Sequence, residues 1–257
     1  HNNYLKRRKF SSYCGKYYEL LSNIISKKLH ENWSPEQISN ALLNGKLSFK
    51  TIYNWIYIGK LKGISFKNLR HKGKRRKKET RGKFLIGNSI TTRPKDVKSR
   101  KTFGHWELDT IVSSRGKSKA CLATFVERKT RFYVAIKIKD RTASSMLKAI
   151  KKLVKVLPKK ALKTFTTDRG KEFACYKEVE KLNIKVYFAD AYAAWQRGSN
   201  ENSNGLLREY YPKKTDLGKI SNDDLIKKLI LLNSRPRKCL NWDNPFNLFL
   251  KEVSHLD

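Results

Sequence analysis

The 257-residue chain is 39% hydrophobic and contains 12 Phe, 12 Tyr and 5 Trp, which is enough for packed cores. This composition excludes a chain that is disordered over its whole length. Its formal net charge of +36 indicates a polyanionic partner and favours nucleic acid, although a ribosomal or histone-like protein would share this charge. The spacing of the four Cys and five His argues against a zinc site, and the lack of a long apolar run argues against a membrane span or signal peptide.

The first part of the chain is predicted to be helical. A supporting helix is indicated by apolar residues at helical spacing, namely Tyr18, Leu21, Ile25 and Leu29. A second helix starts after Ser34, because Ser caps a helix, Pro35 suits the first helical position and Gln37 completes a capping box. Its predicted buried face consists of Ile38, Ala41 and Leu42.

A tight turn and a third helix follow. Asn44-Gly45 ends the second helix, and Ser48 caps the next one, whose apolar positions are Phe49, Ile52, Tyr53 and Ile56. Two short helices around such a turn are typical of a helix-turn-helix, in which the second helix enters the major groove. The candidate base-reading residues are Lys50, Thr51 and Asn54. The alternative is an ordinary pair of helices in a small bundle.

The chain is predicted to have three parts. Residues 1–62 form the helix-turn-helix domain, which we expect to be N-terminally truncated because the chain starts at His1 and its only Met is Met146. Residues 63–101 form a basic linker whose Lys74, Arg75 and Arg76 are candidates for contacts with DNA phosphates. A solvated tether without defined contacts is the alternative for the linker. Residues 102–257 form the third part, which ends in a C-terminal helical extension.

This third part is predicted to contain a mixed sheet. Residues 105–112 read as a strand with Glu107, Asp109 and Ile111 on one face and Trp106, Leu108 and Val112 on the other. Further strands are predicted at 121–126, 132–138, 162–167 and 184–188, with a helix capped by Thr142 and closed by Pro158 before the fourth. Three antiparallel strands followed by strand-helix units describe the α/β plan of the ribonuclease-H-like fold.

Three acidic residues occur in an order that suits a shared site. Asp109 lies in the first strand, and Asp168 follows the fourth, so the two can converge. Glu201 begins a predicted helix over 201–210, after a loop at 196–200, and can reach the same point. Taken singly, Asp168 would more often be a turn or cap residue, and Glu201 an ordinary acid in the first turn of a helix.

Several segments resemble insertion-sequence-30-type transposases, which belong to the retroviral integrase superfamily. The resemblance covers nearly the whole chain, and its most specific elements are Gly104-His105-Trp106-Glu107-Leu108-Asp109, Thr167-Asp168-Arg169-Gly170-Lys171-Glu172-Phe173 and Trp195-Gln196-Arg197-Gly198-Ser199-Asn200-Glu201-Asn202. It implies that Asp109, Asp168 and Glu201 are the catalytic Asp, Asp, Glu triad. Arg169 departs from the pattern, because the wider superfamily commonly has Asn there.

The resemblance also implies the chemistry. Two Mg²⁺ ions, or Mn²⁺ as substitute, would be held about 3.5–4 Å apart, and hard cations of this kind prefer carboxylate ligands. Asp109 would bridge them, while Asp168 and Glu201 would each bind one. The expected function is to bind terminal inverted repeats, cleave the DNA and transfer its 3′ ends to target DNA. A ribonuclease-H-like nuclease and a catalytically silent DNA-binding repressor are the alternatives.

The remaining expectations concern partners and supporting residues. The protein is expected to bind double-stranded DNA as a dimer or higher oligomer. Its expected location is the bacterial cytoplasm, associated with the nucleoid, and neither a membrane nor a small-molecule substrate is expected.

Three basic residues are candidates for positioning phosphates, with exposed side chains of no specific role as the alternative: Lys171, Arg197 and Arg208. Trp195 is either core or a platform for nucleic-acid stacking. Glu107 is expected to be a bystander, with support of Asp109 as the alternative. The tail helix with Leu225, Leu229, Ile230 and Leu232 is expected to be core rather than interface.

Overall fold

A computed structural model describes residues 19–70, 87–114, 116–190 and 193–256. The linker candidates Lys74, Arg75 and Arg76 and the predicted helix residue Tyr18 lie outside these ranges. The chain divides into two compact units, the first comprising residues 1–77 and 236–242 and the second residues 78–235 and 243–257. In the described ranges, no helix is long and apolar enough to cross a membrane.

The described part of the first unit is helical. Its elements are α1 (Glu19–His30), α2 (Pro35–Gln37, extended by a π-helical turn over Ile38–Leu42), α3 (Phe49–Tyr57) and 3₁₀ turns at Phe66–Asn68 and Lys238–Leu240. Their shared core includes Leu21, Ile25, Leu29, Ile38, Ile52 and Ile56. The predicted supporting helix is therefore confirmed, and so is the burial of Ile52 and Ile56 on α3, whereas Phe49 and Tyr53 are half-buried.

Both predicted helix caps of this unit are confirmed. The Ser34 hydroxyl accepts a hydrogen bond from the Gln37 backbone N–H at 3.2 Å, and the Gln37 side chain accepts one from the Ser34 N–H at 2.8 Å. The Ser48 hydroxyl accepts one from the Lys50 N–H. Asn44 and Gly45 have φ of 47° and 74°, so the chain leaves the helix through two left-handed residues.

The prediction of a buried Leu42 is wrong, because its side chain is 37% exposed. The reason is the π-helical turn over Ile38–Leu42. Hydrogen bonds to the fifth residue widen the turn, so positions four apart no longer lie on the same face. Leu43 packs against the core instead.

A late segment of the chain belongs to the first unit. Residues 236–242 were expected in the C-terminal extension of the third part, and they group with the N-terminal helices. The amide nitrogen of Gln37 donates a hydrogen bond to the Pro236 carbonyl at 2.6 Å. One side chain therefore caps α2 and also holds a segment 199 positions away.

The second unit contains a six-stranded sheet. The strands are β1 (Asn88–Ser89), β2 (His105–Val112), β3 (Cys121–Glu127), β4 (Tyr133–Ile138), β5 (Thr164–Thr167) and β6 (Lys185–Phe188). The helices are α4 (Asp96–Ser99), α5 (Ala143–Val156), α6 (Tyr176–Glu180), α7 (Gly198–Tyr210), α8 (Asn222–Asn233) and α9 (Pro245–Ser254). Short 3₁₀ turns lie at Ile90–Thr92, Lys159–Ala161, Lys171–Cys175, Ala194–Arg197 and Leu217–Lys219.

The sheet has the predicted mixed topology. Its order is β1-β6-β5-β2-β3-β4, with β2, β3 and β4 antiparallel and β5 parallel to both β2 and β6. The five predicted strands are confirmed. The prediction of a linker up to residue 101 extends too far, because β1 pairs with β6 and Val97 of α4 is buried.

Helices cover both faces of the sheet. On one face, Trp106 and Leu108 of β2 share a core with α5, α6 and α9. On the other face, Ile111 of β2 shares a core with α7 and α8. The predicted cap of α5 is confirmed, since the Thr142 hydroxyl accepts a hydrogen bond from the Ser145 N–H. Val112, expected beside Leu108, is 41% exposed at the end of β2.

The tail helix α8 is only partly core. Leu225 and Leu232 are buried, as expected, and Leu229 packs against them. Ile230 is 56% exposed, so its assignment to the core is wrong. A helix that rests on a sheet buries one stripe of side chains, and Ile230 lies outside that stripe.

The C-terminal helix α9 contributes the buried Phe249 ring to one core, and Val253 packs against the same core. The Phe249 ring lies 4.0 Å from the Phe132 ring, 5.5 Å from the Phe103 ring and 6.0 Å from the Trp106 ring, centroid to centroid. The side chain of the next residue, Leu250, is 52% exposed.

We expect Phe249→Ala to lower the free energy of unfolding by about 3–5 kcal/mol, because it leaves a cavity among three aromatic rings. Urea unfolding followed by circular dichroism measures this change. The matched control, Leu250→Ala, removes an exposed side chain and should change the same quantity by less than about 0.5 kcal/mol. A loss in Phe249→Ala as small as that expected for Leu250→Ala would show that Phe249 does not carry part of the core.

Candidate active site

Two of the three predicted acids meet at neighbouring strands. Asp109 lies on β2 and Asp168 directly follows β5, which pairs with β2 in parallel. One guanidinium contacts both carboxylates: Arg197 Nη1 lies 3.6 Å from Asp109 Oδ2, and Nη2 lies 3.3 Å from Asp168 Oδ2. The convergence expected from the chain order is therefore present in the structure.

Other donors hold the two carboxylates in place. Asp109 accepts a hydrogen bond from the Thr110 N–H at 2.8 Å on one oxygen and from the Asn204 amide at 3.0 Å on the other. Asp168 accepts one from the Gly170 N–H at 2.9 Å. Both acids are thus oriented by backbone, and Asn204 ties Asp109 to helix α7. Asn204 was not among the residues predicted for the site.

Burial raises the pKa of Asp109 from 3.8 to about 6, because desolvation penalises the charged carboxylate. Arg197 opposes this shift, and the nearby Asp168 carboxylate adds to it. Two acids that converge in a partly buried site repel each other, so a cation between them is favoured.

Glu107 supports the site, and its description as a bystander is wrong. It is fully buried, forms an ion pair with Arg128, and accepts a hydrogen bond from the Asn200 N–H at 2.9 Å. The Arg128 Nε in turn donates to the Val97 carbonyl at 3.2 Å. A carboxylate at the first turn of a helix accepts a hydrogen bond from an otherwise unpaired N–H, and the helix dipole stabilises its negative charge.

This contact explains where helix α7 begins. The sequence predicted a loop up to Asn200 and a helix from Glu201, whereas α7 starts at Gly198. The Glu107 carboxylate from strand β2 contacts the Asn200 N–H in the first turn of α7. Because this N–H is satisfied by a residue 93 positions earlier, no local sequence pattern indicates the start.

A second buried acid lies close to the pair. Glu172 is 1% exposed, and one of its oxygens accepts hydrogen bonds from the Thr110 hydroxyl at 2.9 Å and the Arg141 Nε at 2.6 Å. A Cβ on Gly170 would lie 2.5 Å from the other Glu172 oxygen, so only glycine leaves room for this carboxylate. Neither Glu172 nor Arg141 was among the residues predicted for the site.

Glu201 is not brought together with the two aspartates. Glu201 is exposed on α7 and lies one helical turn before Asn204, so the two residues share a face of the helix. Among the described residues, no group of three or more His, Cys, Asp or Glu side chains is arranged to hold a metal ion. The structure therefore places Glu201 on the helix that contacts Asp109, without placing it in a cluster.

A divalent cation fits the two aspartates. Their carboxylate oxygens are the ligands that Mg²⁺ prefers, and the Arg197 guanidinium already places one positive charge across both. The residues that could hold an ion are therefore Asp109 and Asp168, with Glu201 as the remaining candidate.

The predicted DNA-binding residues lie in different environments. Lys171 is exposed, and Trp195 is 76% exposed, which excludes the core interpretation of Trp195. Arg208 is not a freely exposed side chain, because it is half-buried and donates to the Val112 carbonyl at 2.8 Å. In the first unit, the candidates on α3 are the exposed Lys50 and Asn54 and the half-buried Thr51.

The raised pKa of Asp109 predicts a pH-dependent change in stability. In metal-free buffer the folded protein holds this proton more tightly than the unfolded chain, so its free energy of unfolding falls as pH rises from about 4 to 6. Asp109→Asn removes this penalty, and we expect it to stabilise the protein by about 1–2 kcal/mol above pH 6, since the side chain is 25% exposed. Urea unfolding between pH 4 and 7.5 tests this, and an effect that did not vary with pH would contradict it.

Two glycine substitutions test how tightly the Asp168 loop is packed. Gly170→Ala would place a methyl group against the Glu172 carboxylate, and we expect a loss of about 1–3 kcal/mol in the free energy of unfolding. Gly198→Ala is the matched control, because nothing lies within 4 Å of the added Cβ and φ is −60°. This control should be neutral or stabilising by up to about 1 kcal/mol. A neutral Gly170→Ala would mean that Glu172 is not confined as described.

Comparisons with known proteins give a consistent result. The Integrase core domain family matches residues 99–194. The chain is 34% identical over 256 residues to the transposase InsI for insertion sequence element IS30A of Escherichia coli, covering 92% of this chain and 66% of that protein. It is 34% identical over 252 residues to the transposase for IS1086 of Cupriavidus metallidurans, covering 92% of this chain and 74% of that protein.

A third relative is the transposase for insertion sequence element IS4351 of Bacteroides fragilis, with 38% identity over 243 residues, covering 90% of this chain and 73% of that protein. The chain thus spans just under two thirds of the length of the Escherichia coli relative and nearly three quarters of the other two. The second unit has the ribonuclease-H-like integrase core fold. The chain belongs to the family of IS30-type insertion-sequence transposases.

Proposed function

We propose that this chain cleaves DNA at the terminal inverted repeats of an insertion sequence and transfers the 3′ ends to target DNA, with Asp109, Asp168 and Glu201 as the catalytic acids. The observation that carries this proposal is the convergence of Asp109 and Asp168 on one guanidinium at adjacent strands of an integrase core. Two relatives that each match 92% of this chain are named transposases.

The proposed ligands Asp109, Asp168 and Glu201 would hold two Mg²⁺ ions, or Mn²⁺ in their place. Bound there, such ions would activate the attacking hydroxyl and stabilise the leaving oxygen of the phosphodiester. The chain itself orients the ligands: the Thr110 N–H and the Asn204 amide fix Asp109, and the Gly170 N–H fixes Asp168. Glu201 is proposed as the third ligand because it matches the third acid of the family motif, and it lies one helical turn from Asn204 on α7.

The proposed DNA contacts are divided between the two units. The net charge of +36 favours binding to the phosphate backbone. In the first unit, α2 and α3 would act as the helix-turn-helix, with Lys50, Thr51 and Asn54 on the recognition helix. In the second unit, Lys171 would contact phosphates, and the exposed ring of Trp195 offers a surface for stacking a base.

The proposed assembly is a dimer or a higher oligomer, because joining an element requires that two DNA ends be brought together. The proposed location is the bacterial cytoplasm, at the nucleoid. The relatives come from bacteria, which agrees with this location.

A catalytically silent DNA-binding repressor is the second candidate. The observation that favours it is the position of Glu201, which is exposed and not grouped with the two aspartates. A repressor would bind the same DNA ends with or without Mg²⁺ and would not nick them.

Strand transfer of a labelled element-end oligonucleotide into a plasmid, with Mg²⁺ or Mn²⁺, separates the two candidates. We expect joining by the parent protein and a loss of about 100-fold or more in Glu201→Gln, since even residues that only support metal ligands cost about 10–100-fold. Glu178→Gln, an exposed Glu on α6, is the matched control and should join normally. DNA binding without nicking in every variant would favour the repressor.

A further inference from the structure

Arg197 occupies the position that a cation would take between the two aspartates. Its Nη1 and Nη2 atoms lie 3.6 and 3.3 Å from the Oδ2 atoms of Asp109 and Asp168, respectively. The side chain is only 16% exposed, although it follows the exposed Trp195 on a short 3₁₀ turn. A basic side chain is therefore withdrawn from solvent into the acidic pair.

The contacts that hold this guanidinium are long. They measure 3.6 and 3.3 Å, beyond the usual 2.7–2.9 Å of a charge-assisted hydrogen bond, and the buried Arg197 Nε has no hydrogen-bond partner in the described part of the chain. Arg235, buried in the same unit, also has an Nε without a hydrogen-bond partner among the described residues, but its two Nη atoms make shorter contacts, with Glu209 at 3.1 Å and the Tyr210 hydroxyl at 2.5 Å. Arg197 is thus attracted by charge without being locked by geometry.

The charges of the two aspartates explain why a cation is favoured between them and why Arg197 alone does not neutralise both. Two carboxylates carry two negative charges in a partly desolvated site, and one guanidinium neutralises only half of that charge. A divalent ion neutralises both and binds carboxylate oxygens directly. Because the same two oxygens face Arg197, the ion and the guanidinium compete for them.

We propose that Arg197 is a placeholder for the divalent ion: it holds Asp109 and Asp168 together in the metal-free protein, must move away when metal binds, and so sets the metal affinity of the site. This inference rests on the proposed metal-binding function of the two aspartates. Arg197 is a positioning residue in this proposal, acting through the acids.

Binding of Mn²⁺ alone, measured by the electron paramagnetic resonance signal of the free ion at neutral pH, tests the competition. We expect Arg197→Gln to bind Mn²⁺ about fivefold more tightly or better, within the usual range of coupling between two sites. Lys152→Gln, which removes one exposed charge from α5, should stay within about twofold of the parent. Asp109→Asn should lose binding at this site.

Affinity in Arg197→Gln equal to or weaker than that of the parent would overturn the proposal, as would the absence of Mn²⁺ binding in both proteins. The proposed function fails independently: a parent that never joins DNA ends, while Arg197→Gln still binds Mn²⁺ more tightly, would reject strand transfer and keep the competition. Circular dichroism melting shows whether each variant is folded.

A measurement on the parent protein covers the case in which Arg197→Gln does not fold. The Nε–H resonance of Arg197 is observed by NMR in protein with ¹⁵N-labelled arginine and is assigned by its loss in Arg197→Lys. We expect this resonance to shift as Mg²⁺ saturates the site, because the guanidinium leaves the two carboxylates. An unchanged resonance at saturation would overturn the proposal.

Discussion

The buried ion pair of Glu107 and Arg128 is the constraint on which the candidate site depends. Removing both charges from water costs several kcal/mol for each ion, and only close pairing with additional hydrogen bonds offsets this. Here the offsets come from separate elements, since Glu107 also binds the Asn200 N–H of α7 and Arg128 also binds the Val97 carbonyl of α4. Strand β2, the end of β3, α4 and α7 are therefore fixed to one another beside Asp109.

This constraint places acids inside a strongly basic protein. A chain of net charge +36 attracts DNA, but its proposed reaction needs carboxylates close to phosphates, where like charges repel. Three acids in and beside the site are paired with arginines: Glu107 with Arg128, Glu172 with Arg141, and Asp109 with the shared Arg197. The first two pairs are short and structural, whereas the third is long. The two short pairs hold the structure around the site, whereas Arg197 in the long pair is the cation that we propose a metal ion replaces.

Local sequence patterns predicted the elements whose causes are local. Capping residues contact N–H groups two or three positions later, so Ser34, Ser48 and Thr142 indicated the starts of three helices. Alternation of side chains along a strand placed Trp106 and Leu108 in a core, because successive residues point to opposite faces. The order of these elements, together with the family motifs, was sufficient for the fold and for the meeting of Asp109 and Asp168.

The remaining features depend on contacts between distant positions, which no local pattern records. Gln37 holds Pro236 across 199 positions, Glu107 extends α7 from 93 positions away, and Glu172 binds Thr110 across 62 positions. Each of these residues has an ordinary explanation in its local context: a capping glutamine, a strand-face acid and an acid at the start of a helix. Their local contexts are no more distinctive than that of Glu201. Local sequence context therefore could not indicate which acids belong to the site. Glu201 was proposed from the family motif, and Glu107 is identified by its burial and contacts in the folded protein.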